Sequence, residues 1–411
     1  MTTQPIAAAD PAAADAPTFP ALRLKNGEDR RLSAGHLWVF SNEVDTAATP
    51  LNTFAKGAIA RVISSRDKFL GYAYVNPNSL ISARIMGRDQ RYPPGRSLIV
   101  HRLLVALSLR ERLYDKPFYR LVYGESDGLP GLVLDRYGDR IVGQIATAGM
   151  EAMKEDIVAA VQKVLSPKAM IWKNDSGARE LEGLPSYVET AIGDMPDVLE
   201  VEENGVRFRV PSLTGQKTGW FFDQRDNRAF MASLSKGATV VDFYTHTGGF
   251  AIAAAKAGAV HVTAVDRSQH ALDLAAAAAT ENGVADRFTV TRGEVYGVLE
   301  QAASRGETWQ VVIADPPAFV KSKKDLKASL QGYRKLARLC AAATAPGGWL
   351  FIASCSHNAP LEEFSAAVAR GLHDAGRAGR IVKTSGAGAD HPVHPMLPES
   401  AYLKALTFAL D

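Results

Sequence analysis

The sequence predicts an α/β protein: a doubly wound domain in the carboxyl-terminal half, preceded by a small β-barrel and a central α+β module. Three observations carry this. From Val240 onward, short apolar runs alternate with helical patterns. Two of these runs, residues 311–314 and 347–353, end abruptly at Asp315-Pro316-Pro317 and Ser354-Cys355-Ser356. Residues 22–86, by contrast, read as successive short strands punctuated by Asn26-Gly27 and Asn76-Pro77-Asn78.

Composition bounds the classes open to the chain. Its 411 residues suffice for two or three domains, and 46% hydrophobic with 22% charged residues describes an ordinary globular protein. A net charge of +3 permits a nucleic-acid partner without requiring one. Two cysteines, Cys340 and Cys355, make neither a disulfide framework nor metal-ligand spacing, so no metal is expected and a reducing cytoplasm is the simplest home. Residues 1–20, rich in Ala, Pro and Asp, lack a basic start and an apolar core and read as a disordered tail. No apolar segment reaches the roughly 18 residues that cross a bilayer, so no membrane partner is expected.

In order, residues 21–95 make the β-rich unit, in which Lys25, Arg31 and other scattered cations offer a phosphate-binding face or merely a solvated surface. Residues 96–195 make the central module: a helix over 98–113, a hairpin spanning 132–145, a helix over 150–164 and a strand at 169–173. Its glycines read as turn formers, with no catalytic constellation. A second hairpin, near residues 200–210, opens the last domain, 196–411. There a strand at 239–244 is followed by Thr247-Gly248-Gly249-Phe250 and a helix, and the next strand ends in Asp266. Small residues after the first strand let a ligand approach the backbone, and an acid at the second tip accepts hydrogen bonds from ribose hydroxyls. Gly-x-Gly-x-x-Gly is absent, so a smaller adenosine-bearing ligand fits better than a dinucleotide. Glu294, after the strand at 288–292, is placed to reach an adenine edge. Residues 402–408 read as a final strand, antiparallel at the sheet edge.

Asp315 and Cys355 stand at the carboxyl ends of two apolar runs, where open α/β sheets gather their ligands. A thiolate adds to an electron-poor ring, and a carboxyl group holds such a ring by its polar edge. The bland alternative makes Asp315 a turn cap and Cys355 a small buried hydrophobe. Lys321, Lys323, Arg334 and neighbouring cations lie just beyond Asp315, as a phosphate contact or a solvated helix face.

These blocks, with Gly124 to Asp139, Gly215-Gln216-Lys217-Thr218-Gly219-Trp220-Phe221-Phe222-Asp223-Gln224-Arg225 and Ser354-Cys355-Ser356-His357, resemble one family. It is the class I S-adenosylmethionine-dependent methyltransferases that carry an amino-terminal PUA domain and modify C5 of cytosine in large-subunit ribosomal RNA. The likeness runs from about Leu22 to the carboxyl terminus. It implies a PUA β-barrel, the central module and a Rossmann-like catalytic domain, with ribosomal RNA as partner and room for a homodimer. By the same likeness Gln216, Lys217, Thr218 and Gly219 lie over S-adenosylmethionine, and Asp242, Thr247 and Gly248 beneath it. Asp266 holds the ribose, Glu294 the adenine, and Asp315 and Cys355 act on the base, with Asp315 also bordering the cofactor. Lys25, Arg31, Lys321, Lys323 and Arg334 are the candidate RNA contacts. Two residues depart from the family pattern: His246, where Tyr or Asn is commoner, and Glu294 in place of Asp.

The chemistry this implies is addition of the Cys355 thiolate to C6, methylation at C5 and elimination. A uracil C5 target uses the same thiol, a purine amino group has no use for it, and a noncatalytic RNA-binding assembly factor needs neither Cys355 nor Asp315.

Overall fold

The structure, a computed structural model, describes residues 19–213, 218–319 and 323–411. Most of the expected tail, with Gln216, Lys217 and Lys321, lies outside them. Contacts divide the chain between Pro94 and Gly95 into two compact units.

The first unit is a five-stranded sheet of β1 (Ala21–Arg23), β2 (Trp38–Phe40), β3 (Ile59–Ile63), β4 (Phe69–Val75) and β5 (Ile81–Gly87), ordered β1-β3-β4-β5-β2. A bridge from Leu24 to Val44, just past β2, curls the two ends of the sheet toward each other. Leu22, Val39, Val62, Ala73 and Ile85 fill its interior. Burial alternates along the short β1 and β2, as a sheet with one packed face requires, whereas β4 is buried over nearly its whole length.

In the second unit, β6 (Phe118–Tyr123), β7 (Leu132–Tyr137), β8 (Arg140–Ile145), β9 (Ala169–Asn174) and β10 (Tyr187–Ile192) form a sheet ordered β10-β9-β8-β7-β6. Its two outer strands, β6 and β10, are not evident in the sequence pattern. The helix expected over 150–164 is two, Ala148–Ala152 and Lys154–Leu165, broken at Met153. A separate hairpin of β11 (Val198–Glu203) and β12 (Val206–Pro211) packs on the helix Gln269–Glu281 of the last domain, where Asn282 bonds the backbone of Arg207 in both directions.

The remaining sheet has seven strands, β13 (Thr239–Phe243), β14 (His261–Asp266), β15 (Phe288–Arg292), β16 (Trp309–Ala314), β17 (Thr344–Ser354), β18 (Gly379–Ser385) and β19 (Lys404–Leu410). Their order is β15-β14-β13-β16-β17-β19-β18, parallel throughout except for β19. Strands buried on both faces need near-continuous apolar runs, and Val240, Val241, Val311, Val312, Ile313 and Ile352 are all fully buried. The chain order reverses at β13, whose neighbours β14 and β16 belong to opposite windings, so a crevice opens at its carboxyl end. The last strand is antiparallel as expected, but it is interior: β18 occupies the edge. The sequence of β18 alternates poorly and leaves Ile381 and Val382 half exposed, which hid it from pattern reading.

Candidate active site

Register aligns the tips of four strands. Phe243 pairs with Val265 on one side and Ala314 on the other, and Ala314 pairs with Ile352. The residues that follow, Asp266, Asp315 and, slightly further along its strand, Cys355, therefore emerge along one rim of the sheet, on strands about 4.8 Å apart. Asp242 sits one residue inside that rim.

Asp242 is 1% exposed. Its Oδ2 accepts hydrogen bonds from Thr245 Oγ1 at 2.6 Å and Ala251 N at 3.0 Å, whereas its Oδ1 is buried without a partner. Burial, reinforced by the negative charges of Asp315 and Asp266, pushes this carboxyl up to about 7 despite those two bonds. An oxygen so placed invites a donor or a cation.

The loop after β13 is wound through the left-handed region three times, at Tyr244 (φ 63°), His246 (φ 52°) and Gly248 (φ 84°). Two of these carry side chains, a strain of order 1–3 kcal/mol each that concentrates at ligand sites. Only glycine suits position 248 comfortably, because a Cβ there would lie 2.8 Å from Ile252 Cδ1 and 3.0 Å from Ala275 Cβ. Thr247 is fully buried. His246 donates its backbone N–H to Asp266 Oδ2 at 3.0 Å, and its partly buried ring meets Phe221 edge-on. Burial lowers that imidazole to about 4, so it is neutral at ordinary pH.

Asp266 also accepts from Ser268 N at 2.9 Å. Each of its oxygens thus takes one backbone N–H, and a carboxylate retains lone pairs for two more donors. Glu294 sits at the N-terminal end of the helix Val295–Arg305, exposed and not engaged in capping it.

Asp315 is fixed by Gln224, whose Nε2 donates to its Oδ2 at 2.9 Å. Gln224 Oε1 in turn accepts from Asn227 at 2.6 Å, and Asn227 accepts from Ser385 of β18 at 2.6 Å. Pro316 and Pro317 end the strand because neither offers an N–H to a ladder. Cys355, half-buried, has its Sγ 4.0 Å from the carbonyl oxygen of Pro316, so the thiol and the carboxylate turn meet. Tyr333 braces the residues on either side of the cysteine, its hydroxyl 2.8 Å from Ser354 Oγ and 3.0 Å from Ser356 Oγ. His357 stacks on Tyr402.

Of the block at residues 215–225, Thr218 bonds the central module, whereas Phe221 and Gln224 reach the rim at His246 and Asp315. Thr218 Oγ1 donates to the buried Asp135 at 2.5 Å, and Arg120 clamps that carboxylate with two bonds of 2.8 Å. Tyr137 donates to the Thr218 carbonyl at 3.0 Å. Gly219 (φ 109°) passes so close to Pro211 that a Cβ would lie 2.8 Å from its carbonyl oxygen. Asp135 and Tyr137, read from sequence as part of a hairpin with no catalytic constellation, thus anchor Thr218 ahead of the site.

Among the expected RNA contacts, Lys25, Arg31 and Arg334 each bond within their own unit. Lys25 Nζ donates to the Asn42 carbonyl, and Arg31 pairs with Glu43 at 2.7 Å. Arg334 makes a two-pronged bond with Asp374, at 2.6 and 2.8 Å. Lys323 opens the single-turn helix Lys323–Asp325. Among the described residues no cluster of His, Cys, Asp or Glu could hold a metal ion, and no helix is long and apolar enough to cross a membrane.

Comparison with known proteins gives this geometry its context. Residues 22–88 match a PUA-like domain and residues 183–408 an S-adenosylmethionine-dependent methyltransferase. Ribosomal RNA large subunit methyltransferase I of Shewanella amazonensis is 34% identical over 391 residues, covering 94% of this chain and 98% of its own. The protein of the same name from Pseudoalteromonas atlantica is 34% identical over 387 residues, 93% and 97% of the two chains. A solved structure from Streptococcus mutans, described as a SAM-dependent methyltransferase, has a TM-score of 0.79 at 21% identity and covers 95% of this chain and 100% of its own. Another, a methyltransferase complexed with SAH, has a TM-score of 0.80 at 20% identity with the same coverage. At those identities the two structures speak to fold alone. The cofactor of the family is S-adenosylmethionine, and the rim fits it: a buried unpartnered carboxylate oxygen for a cationic ligand, and an acid at the second strand tip for a ribose. The chain belongs to the S-adenosylmethionine-dependent methyltransferase family, with an amino-terminal PUA-like domain.

Proposed function

We propose that the protein methylates C5 of a cytosine in large-subunit ribosomal RNA through a transient bond between Cys355 and C6. The observation that carries this reading is the meeting of Cys355 Sγ with the Asp315-Pro316 turn from the neighbouring strand. The names of the relatives support ribosomal RNA as substrate, and the PUA-like domain supports RNA docking. A thiol is superfluous for methylating an exocyclic amino group but necessary for C5, a poor nucleophile within an intact pyrimidine ring.

Bound at the rim, S-adenosylmethionine supplies an electrophilic methyl group. Asp242, Thr247 and Gly248 would lie beneath it, Asp266 would hold its ribose hydroxyls, and Glu294 its adenine. Gln216, Lys217, Thr218 and Gly219 would close over it. The Cys355 thiolate donates a lone pair to C6 while the C5–C6 π pair moves toward C5. Asp315, held by Gln224, takes up a proton from solvent as the base binds, gives it to N3 and so keeps charge off the ring. Once C5 carries the methyl group, its proton leaves to solvent, the S–C6 bond breaks to regenerate thiolate, and N3 returns its proton to Asp315. The base must be unstacked to reach such a pocket, at a few kcal/mol in a duplex. Lys25, Arg31, Lys321, Lys323 and Arg334 are assigned to the RNA path, with Arg31 and Arg334 having to share their carboxylate partners.

Transfer of labelled methyl groups to ribosomal RNA, followed by mass mapping of the modified nucleoside, tests the assignment. Methyl groups on cytosine C5 are expected. Label confined to uracil or to purine amino groups would overturn it.

A further inference from the structure

The proposed reaction consumes a thiolate, yet a free cysteine titrates at roughly 8.5. Something must favour its ionised form. The elements packed around Cys355 differ in the charge they bring. The turn after β16 brings Asp315, whose negative charge opposes ionisation. The helix Leu326–Ala343 brings Tyr333, neutral because burial raises its hydroxyl above the ordinary range. The cysteine's own loop brings His357, exposed and stacked on Tyr402. Among the described residues, β19 also lies beside the cysteine.

β19 opens with Lys404, which pairs across the sheet with Ser354, the residue before Cys355. Its Nζ donates to the carbonyl of Ser356 at 2.6 Å and to that of Ala359 at 2.7 Å. The ammonium is thereby pinned to the carbonyl of the residue directly after the cysteine. It is half-buried, and among the described residues no carboxylate forms an ion pair with it. A partly desolvated ammonium is costly unless an opposite charge compensates it. Burial lowers the pKa of Lys404, and the one charged group that opposes this shift is Cys355.

We propose that Lys404 is the positioning residue that keeps Cys355 ionised, holding its cation beside the sulfur through the Ser356 and Ala359 carbonyls. The inference rests on the covalent reading above. The thiol proton leaves to solvent through the exposed side of Cys355, and Lys404 stays protonated throughout. The same two hydrogen bonds fix the loop over residues 356–359, so one side chain both shapes the nucleophile's loop and sets its charge.

Alkylation of the full-length chain by iodoacetamide, followed by peptide mass, reads the thiolate directly from about pH 5 to about pH 10. Cys340 is fully buried and serves as the unreactive reference. In the wild type the Cys355 midpoint should fall below the ordinary thiol value. In Lys404→Met it should rise by about one pH unit or more, and Lys404→Arg should restore it. The Met variant should also lose about tenfold in kcat near neutral pH, with its affinity for S-adenosylmethionine unchanged and activity recovered as pH rises. A wild-type midpoint at or above about 8.5 overturns the proposal even if the Met variant does not fold. An unshifted midpoint in a folded Met variant overturns it as well. A fully active Cys355→Ala enzyme would instead remove the covalent reading, and leaves the alkylation midpoint a separate result.

Discussion

Asp242→Asn should make the ligand-free protein more stable at alkaline pH while weakening its hold on S-adenosylmethionine. The folded carboxyl titrates at about 7 against an ordinary 3.8, chiefly because it is buried. Below pH 3.8 it is neutral in both the folded and unfolded chain and has no effect on their balance. Between 3.8 and about 7 the unfolded group ionises and the folded one does not, so each pH unit weakens the fold by about 1.4 kcal/mol, about 4 kcal/mol in all. Asparagine removes that loss. Its single amide oxygen still accepts from both Thr245 and Ala251, but its amide nitrogen replaces the unpartnered Oδ1 and leaves buried N–H donors unpaired, at a cost of about 1–2 kcal/mol. The net gain should therefore be absent near pH 4, grow with pH and level off above about 7 at roughly 2–3 kcal/mol. Urea denaturation across that range reads it, and calorimetry should show S-adenosylmethionine bound about 10- to 100-fold more weakly, as loss of a charged acceptor implies. A stability difference that does not change with pH, or a variant destabilised at every pH, would refute the reasoning.

Three further outcomes follow from the same rim. Gly248→Ala forces a side chain into the left-handed region against Ile252 and Ala275, and should cost about 1–3 kcal/mol in denaturant unfolding together with cofactor affinity. His246 is neutral in the fold down to about pH 4, below its ordinary 6.5, so its contribution to stability is complete above pH 6.5 and is lost as pH falls toward 4. His246→Asn should accordingly lose less stability than the wild type on acidification over that interval, measured by thermal unfolding. Gln224→Leu removes the donor that fixes Asp315 and should lower kcat about tenfold with little change in the KM for S-adenosylmethionine, in a methyl-transfer assay on ribosomal RNA.

Much of the seven-stranded sheet was legible because its strands are buried on both faces. Apolar runs such as Val311, Val312, Ile313 and Ala314 are hard to read as anything but interior strands, and Pro316 fixes where one stops. Asp266, Asp315 and Cys355 stand out for the same reason: a polar residue closing an apolar run lies at the carboxyl rim of a parallel strand. What escaped was long-range or one-sided. β18 carries too little apolar alternation to register, and its presence moves the last strand from the edge to the interior. Lys404, a lone cation in an apolar strand, gains meaning only when β19 pairs with β17. The Asp135–Thr218 bond joins residues 83 apart, and Gln224 meets Asp315 across 91, spacings no local pattern encodes. The strained turn at Tyr244 and His246 has no sequence signature, because non-glycine residues reach positive φ only when the surrounding fold imposes it.

The proposed nucleophile can be caught in the act with ribosomal RNA containing 5-fluorocytosine, which accepts a thiolate at C6 and a methyl group at C5 but has no C5 proton to lose. Incubated with S-adenosylmethionine and the wild-type chain, it should yield a stable protein–RNA adduct whose peptide mass places the linkage at Cys355, and Cys355→Ala should form none. Methylation of ordinary cytosine C5 without any trapped adduct, or a linkage at another residue, would contradict the account.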